Sequence, residues 1–179
     1  GGTIMSAPST ELIMVDSLQT WKQAIDECIE SGTCCFDVET NQVDDKNNEI
    51  KYYMEGFKIT IISVSPYAGR SYVMAIEHKE SLFTRTRCEE LLTIFAHKIL
   101  ENPNVIKIAH NAKYDLNAIM AYTGELKFKG RFADTMLMAN LLNENESVSL
   151  ERCTEMYLPT TAGYKIKNYN IALADLAKY

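Results

Sequence analysis

Glycine and proline are scarce in this chain, eight and four in 179 residues. That excludes a collagenous chain, and with 46% apolar residues there is enough to bury for a folded core. Basic residues do not dominate. Eighteen Lys and Arg stand against twenty-four Asp and Glu, a net charge of -6, so bulk attraction is not what would bring the protein to nucleic acid or an anionic membrane. A metal-dependent nuclease stays open, because such a site is itself built from carboxylates. No apolar run approaches the ~18 residues of a membrane span, and no secretory signal is visible. The five cysteines (Cys28, Cys34, Cys35, Cys88 and Cys153) contain no C-x-x-C pair. An odd count with two neighbours inside an apolar run reads as buried, reduced thiols in a reducing compartment, not as disulfides or zinc ligands.

The length fits one compact domain over residues 1–179. Within it, Gly1-Gly2-Thr3 reads as a cloning scar, with Met5 as a native start. The charge is uneven: residues 1–90 carry eight basic and fifteen acidic side chains, residues 91–179 ten and nine. A polyanion is therefore expected to lean on the second half, where Lys107, Lys113, Lys127, Lys129, Arg131, Lys165 and Lys167 lie. Taken singly, each is equally an ordinary solvated lysine or arginine.

Along the chain, Glu11–Val15 suits a strand, and Ser17 offers an N-cap to a helix that Gly32 ends. Thr33–Thr40 (TCCFDVET) is β-branched and aromatic, with carboxylates at its far end. Asn41–Gly56 is polar and acidic and reads as a long loop. Phe57–Ser65 and Ser71–Ile76 flank Pro66–Arg70 and read as a hairpin. A helix is expected over Thr86–Glu101, with Leu91, Leu92, Phe95, Ile99 and Leu100 on one face and Asn102-Pro103-Asn104 as its stop. Val105–Ala109 is a short buried strand, and Asn111 caps the helix after it. Phe132–Thr135 leads into a helix over Met136–Leu142; another begins near Ser149, and Ile171–Tyr179 is helical after a loop over Pro159–Tyr169. Strands first and helices later, with one strand–helix unit between, predict an α/β fold: a mixed sheet flanked by helices.

Three spots carry chemistry. Asp37 and Glu39 lie two apart on a strand, so both carboxylates point one way while Phe36 and Val38 face the core. Two carboxylates so close repel unless a cation sits between them, and an oxygen-only cage suits Mg²⁺ or Mn²⁺. Alone, the pair reads first as a polar strand end running into an acidic loop, since D-x-E is frequent by chance. The second spot is His110-Asn111-Ala112-Lys113-Tyr114-Asp115, directly after a strand. Asn111 as cap places Asp115 in the first helical turn, where the positive helix end favours a carboxylate and a third ligand could complete the cage. Tyr114 can stack on a base and Lys113 can meet a phosphate. The third is Asp134, at a strand-to-helix junction, where capping is a sufficient role. His78 and His97 have no partner at ligand spacing and read as surface or edge residues.

The order of these elements resembles a known family. A strand ending D-V-E-T, a strand followed by H-N-A-K-Y-D, and F-A-D-T-M-L before a helix are similar to the first two motifs and linking segment of the DnaQ-like 3′–5′ exonucleases. The likeness is to the proofreading domain of family A, polymerase I-type DNA polymerases and their bacteriophage relatives, and it runs from about Leu12 to Tyr179. It implies an RNase H-like fold and a two-metal site using Mg²⁺ or Mn²⁺, with Asp37, Glu39 and Asp115 as ligands. It also implies that Glu39 and the Thr40 backbone meet the 3′-hydroxyl, that Val43 wedges against the terminal base, and that Asn111 and Tyr114 touch the terminal nucleotides. Tyr179 matches the tyrosine that orients the attacking water.

Two departures stand out. The loop after Thr40 is longer and more acidic than the family pattern, and the fourth carboxylate, four residues after the matched tyrosine, would fall past Tyr179. The expectation is therefore an exonuclease domain cut from a longer polymerase chain, acting on the 3′ end of single-stranded DNA in the cytoplasm of a bacterium or a phage-infected cell. An RNA- or oligonucleotide-trimming exonuclease and a non-catalytic DNA-binding module are the alternatives.

Overall fold

The computed structural model describes residues 11–134. The helices expected over Met136–Leu142, from Ser149 and over Ile171–Tyr179, the loop over Pro159–Tyr169, and Cys153 and Tyr179 themselves, lie outside the described residues. Among the described residues, six strands form one mixed sheet in the order β1-β4-β3-β2-β5-β6. They are β1 (Glu11–Met14), β2 (Thr33–Thr40), β3 (Ile59–Tyr67), β4 (Arg70–Ala75), β5 (Ile106–Ala109) and β6 (Phe132–Asp134). The helices are α1 (Leu18–Ser31), α2 (Arg85–Phe95) and α3 (Ala112–Thr123). β2 runs antiparallel to β3 and parallel to β5, and β5 parallel to β6. Three strands therefore end at one edge of the sheet.

α1 forms where capping and periodicity agree. The Ser17 hydroxyl accepts from the Thr20 amide at 3.1 Å, and Gly32 closes the helix at a φ of 74°. Its inner face buries Trp21, Ala24, Ile25 and Cys28. Trp21 packs 5.8 Å from the Phe95 ring and donates its indole N–H to the Leu91 carbonyl at 2.8 Å, which ties α1 to α2. Phe36 of β2 meets Phe95 edge-on at 5.9 Å, so strand and both helices share one aromatic centre. β2 lies in the middle of the sheet, and Cys34, Phe36 and Val38 are buried in the main core, as their alternation with Asp37 and Glu39 predicts. The four described cysteines are buried thiols, none of them in a disulfide.

Two elements differ from the sequence reading. The hairpin turn is not Pro66–Arg70 but the two residues between Tyr67 and Arg70, which pair with each other. The register slips between Val64 and Tyr67, and Pro66 sits in that irregularity, where its missing N–H costs no ladder bond. The helix expected as one piece ends its α-helical part at Phe95 and continues as a π-helical turn, Ala96–Leu100. The Glu101 amide reaches back five residues to the Ala96 carbonyl at 2.9 Å. A 3.6-residue period carries no sign of that extra residue.

A third correction concerns charge. Lys107, expected as a cation for a polyanion, is 0% exposed. Its ammonium donates to the Asn102 carbonyl at 2.8 Å and to the Lys129 carbonyl, and lies 4.7 Å from the centre of the Phe132 ring. Burial pushes its pKa down. Gly130, at a φ of 83°, leaves the room: a Cβ there would stand 2.9 Å from the Lys107 Nζ and 3.0 Å from Pro103. Lys127, Lys129 and Arg131 are exposed, but they precede β6 and so lie at the edge of the sheet opposite the ends of β2 and β5.

Candidate active site

The site forms where β2 and β5 end side by side. The last pair between them is Cys35 with Ile108, so Asp37 and Glu39 extend past it into the opening where the chain leaves β5 and enters α3. At that end the β2–β3 register shifts between Glu39 and Thr40, and the Thr60 hydroxyl bonds the Glu39 carbonyl at 3.2 Å. Such a bulge twists a strand end and re-aims its side chains. Asp37, Glu39 and Thr40 are each half-buried.

α3 supplies the other wall. Asn111 caps it as expected, its side chain accepting from the Tyr114 amide at 3.4 Å. Asp115 falls in the first turn, 3% exposed. Asp134 is a cap too: its carboxylate accepts from the Ala112 amide at 3.0 Å, at the start of α3, while the helix expected after it lies outside the described residues. Parallel pairing of β6 with β5 puts Asp134 beside Ala109 and hence next to this helix end. The far end of α3 is held by Tyr122, whose hydroxyl accepts from the Ile59 amide and donates to Glu77, both at 2.8 Å, with the Arg85 guanidinium 3.7 Å over the ring centre. Burial pushes the Tyr122 hydroxyl pKa upward.

A cleft of about 300 Å³ lies between these walls, lined by Asp37, Val38, Glu39, Thr40, Gln42, His110, Asn111, Tyr114 and Asp115. It gathers Asp37, Glu39, Thr40, Asn111, Tyr114 and Asp115 from the sequence reading. Thr40 and Tyr114 also bond each other through their hydroxyls, which ties the end of β2 to α3. Lys113 is exposed on α3 and does not line the cleft. Val43 does not line it either; it pairs with Glu49 in the β2–β3 loop and is half exposed. Tyr179 falls outside the described residues. Sequence reasoning missed Gln42 and His110 as lining residues. The neighbours of both, Thr40 and Asn111, were the available signal.

Among the described residues, the lining holds three carboxylates and neither Lys nor Arg. Hard oxygen donors of one sign suit a divalent cation such as Mg²⁺ or Mn²⁺. Among the described residues, no group of three or more His, Cys, Asp or Glu side chains is already drawn together as a cation cage. The donor chemistry fits; the side chains share a cleft without closing around a point.

A family model for 3′–5′ exonucleases matches residues 12–175. The chain belongs to that family. Its members are hydrolytic nucleases, generally using two Mg²⁺ or Mn²⁺ ions. Solved structures share the fold of this exonuclease-family chain. The catalytic core of RRP6 from Trypanosoma brucei matches at 14% identity and a TM-score of 0.60, over 96% of this chain and 40% of that one. The EXO domain of Aedes aegypti Nibbler matches at 12% identity and 0.55, over 92% and 81%. Escherichia coli RNase D, described as an exoribonuclease involved in structured RNA processing, matches at 14% and 0.53, over 86% and 34%. The chain thus spans less than half of the RRP6 and RNase D chains. No curated protein matches it in sequence. No helix among the described residues is long and apolar enough to cross a membrane.

Proposed function

We propose that this exonuclease-family chain removes nucleoside 5′-monophosphates from the 3′ end of single-stranded or frayed DNA, as the proofreading part of a longer family A DNA polymerase. The carrying observation is the cleft in which Asp37 and Glu39 of β2 meet Asp115 of α3, with no Lys or Arg among the described lining residues. These three carboxylates would hold the divalent ions. The chemistry such a pair of ions supplies is activation of water and neutralisation of charge at the phosphate.

The chain's own residues do the positioning. Glu39 and the Thr40 backbone receive the terminal 3′-hydroxyl, and Asn111 and Tyr114 border the last nucleotides. Lys113, exposed one residue from Tyr114, offers a phosphate contact. Tyr179 orients the attacking water, and Val43, on the neighbouring loop, is the candidate wedge. The polymerase setting rests on the likeness of the D-V-E-T and H-N-A-K-Y-D motifs and on the family match.

A second reading, trimming of RNA, draws on the RNase D and RRP6 likenesses. A 5′-labelled DNA and an RNA of the same sequence, incubated with the chain and Mn²⁺, separate the two. The proposal expects a ladder shortening from the 3′ end, faster on DNA. A faster RNA ladder moves the assignment to the second reading. No ladder on either strand, with folded protein and metal present, sinks both. A merely binding module is disfavoured because three like charges in one cleft repel and are useless without a cation.

A further inference from the structure

Of the basic residues of the second half that were expected to meet a polyanion, Lys107 is buried, Lys127, Lys129 and Arg131 lie at the opposite edge of the sheet, Lys113 is exposed on α3, and Lys165 and Lys167 lie outside the described residues. Besides Lys113, exposed lysines occur in the loop that joins β2 to β3. Its first half is acidic, with Asp44, Asp45 and Glu49. Its second half reads Lys51-Tyr52-Tyr53-Met54-Glu55-Gly56-Phe57-Lys58, two lysines and one glutamate around two tyrosines. Tyr53 is 67% exposed, Tyr52 42% and Met54 41%, and the two tyrosine rings meet edge-on at 5.2 Å. Single exposed apolar residues are ordinary; three in succession are not.

The loop holds them out on a fixed frame. Phe57 is buried and Ile50 packs against the core, so the segment between is anchored at both ends. Asn41 clamps the base: its side chain donates to the Gly56 carbonyl and accepts from the Lys58 amide, both at 2.8 Å. The Ile50 amide bonds the carbonyl of Gln42 at 3.0 Å, and Gln42 lines the cleft. Tyr52 is two residues past Ile50, so its Cα lies within about 7 Å of that of Ile50.

We infer that Tyr52 and Tyr53, flanked by Lys51 and Lys58, form a stacking platform for the single strand on its way into the cleft. The inference deepens the exonuclease reading and rests on it for the direction of the strand. Aromatic rings interleaved with cations take any base by its face and the backbone by its charge, without sequence readout. The platform engages nucleotides upstream of the scissile one, so it adds affinity for long strands and nothing for very short ones.

The test is binding without turnover. Fluorescence anisotropy in EDTA follows a labelled 12-nucleotide single-stranded DNA on the wild type, on Y52A/Y53A and on Y52F/Y53F. The alanine pair is expected to weaken binding about tenfold or more, and the phenylalanine pair to keep it, because stacking needs the ring and not the hydroxyl. Y67A, at the far hairpin, removes a comparably exposed tyrosine and is expected to change nothing. Adding Mn²⁺, the alanine pair should raise KM on the 12-mer while kcat stays within about twofold, and a trimer should be cut as by the wild type. Equal affinity of the wild type and the alanine pair, equal loss in Y67A, or no binding by the wild type overturns the platform. If loop-dependent binding holds but neither protein cuts DNA, it is the exonuclease reading that has failed.

Discussion

Two buried charges sit eight residues apart on one strand–helix unit, and their surroundings are opposite. Lys107 at the start of β5 donates to two carbonyls and lies against the Phe132 ring, at the end of the sheet away from the cleft. Asp115 in the first turn of α3 opens on a cleft with two more groups of its own sign. The first is a structural group whose neighbours complete it. The second shares its cleft with two further carboxylates, the arrangement proposed above to hold the ions. Net charge hides the difference: the lysine counted as available to a polyanion is core, and the acidic side chains counted against nucleic acid are the ones that would engage it.

The comparison can be broken in order of expected effect. Exchanging Asp37 and Glu39 for alanine should lower 3′-end cleavage by about a thousandfold or more, since the residues proposed to hold the ions are gone. The same variant should melt no lower than the wild type in EDTA, because it relieves like-charge repulsion. A cleavage loss matched by a large fall in melting temperature would make these residues structural.

Lys107→Ala should do the reverse. It strips two carbonyls of a buried donor and removes the packed stem, so denaturant unfolding is expected to show a loss of about 2–4 kcal/mol with kcat per folded molecule unchanged. Gly130→Ala, which would crowd the same ammonium at a backbone angle side chains rarely adopt, should cost about 1–3 kcal/mol by the same measurement. Smallest of all, Thr40→Val removes the hydroxyl bonded to Tyr114 and should cost about 1 kcal/mol of stability, with a change in KM larger than that in kcat. If Thr40→Val instead abolishes kcat, the threonine side chain acts in the chemistry and not in holding the wall.

Much of this is legible in the sequence because local rules and the global fold agree. Ser17, Gly32 and Asn111 cap where their residue types predict, and the alternation of Phe36 and Val38 with Asp37 and Glu39 is enough to assign their faces. What escapes a sequence reading depends on contacts distant along the chain. Lys107 is buried because Asn102 and Lys129 turn their carbonyls to it and Gly130 leaves room, which no charge count reveals. Asp134 caps α3, 22 residues back, because β6 pairs with β5. The π-helical turn at Ala96–Leu100 inserts a residue that periodicity cannot see. The β2–β3 loop reads as an acidic spacer by composition; only the packing of Ile50 and Phe57 against the core, on either side of its tyrosines, marks it as a frame.

The central claim is that the acidic cleft performs the cleavage. Its most direct test is digestion of a 5′-labelled single strand with Mn²⁺ by the wild type and by D37A/E39A, each confirmed folded by melting. The account predicts stepwise loss of nucleotides from the 3′ end by the wild type, stopped by EDTA and absent in the variant. Digestion that continues undiminished in D37A/E39A would contradict it.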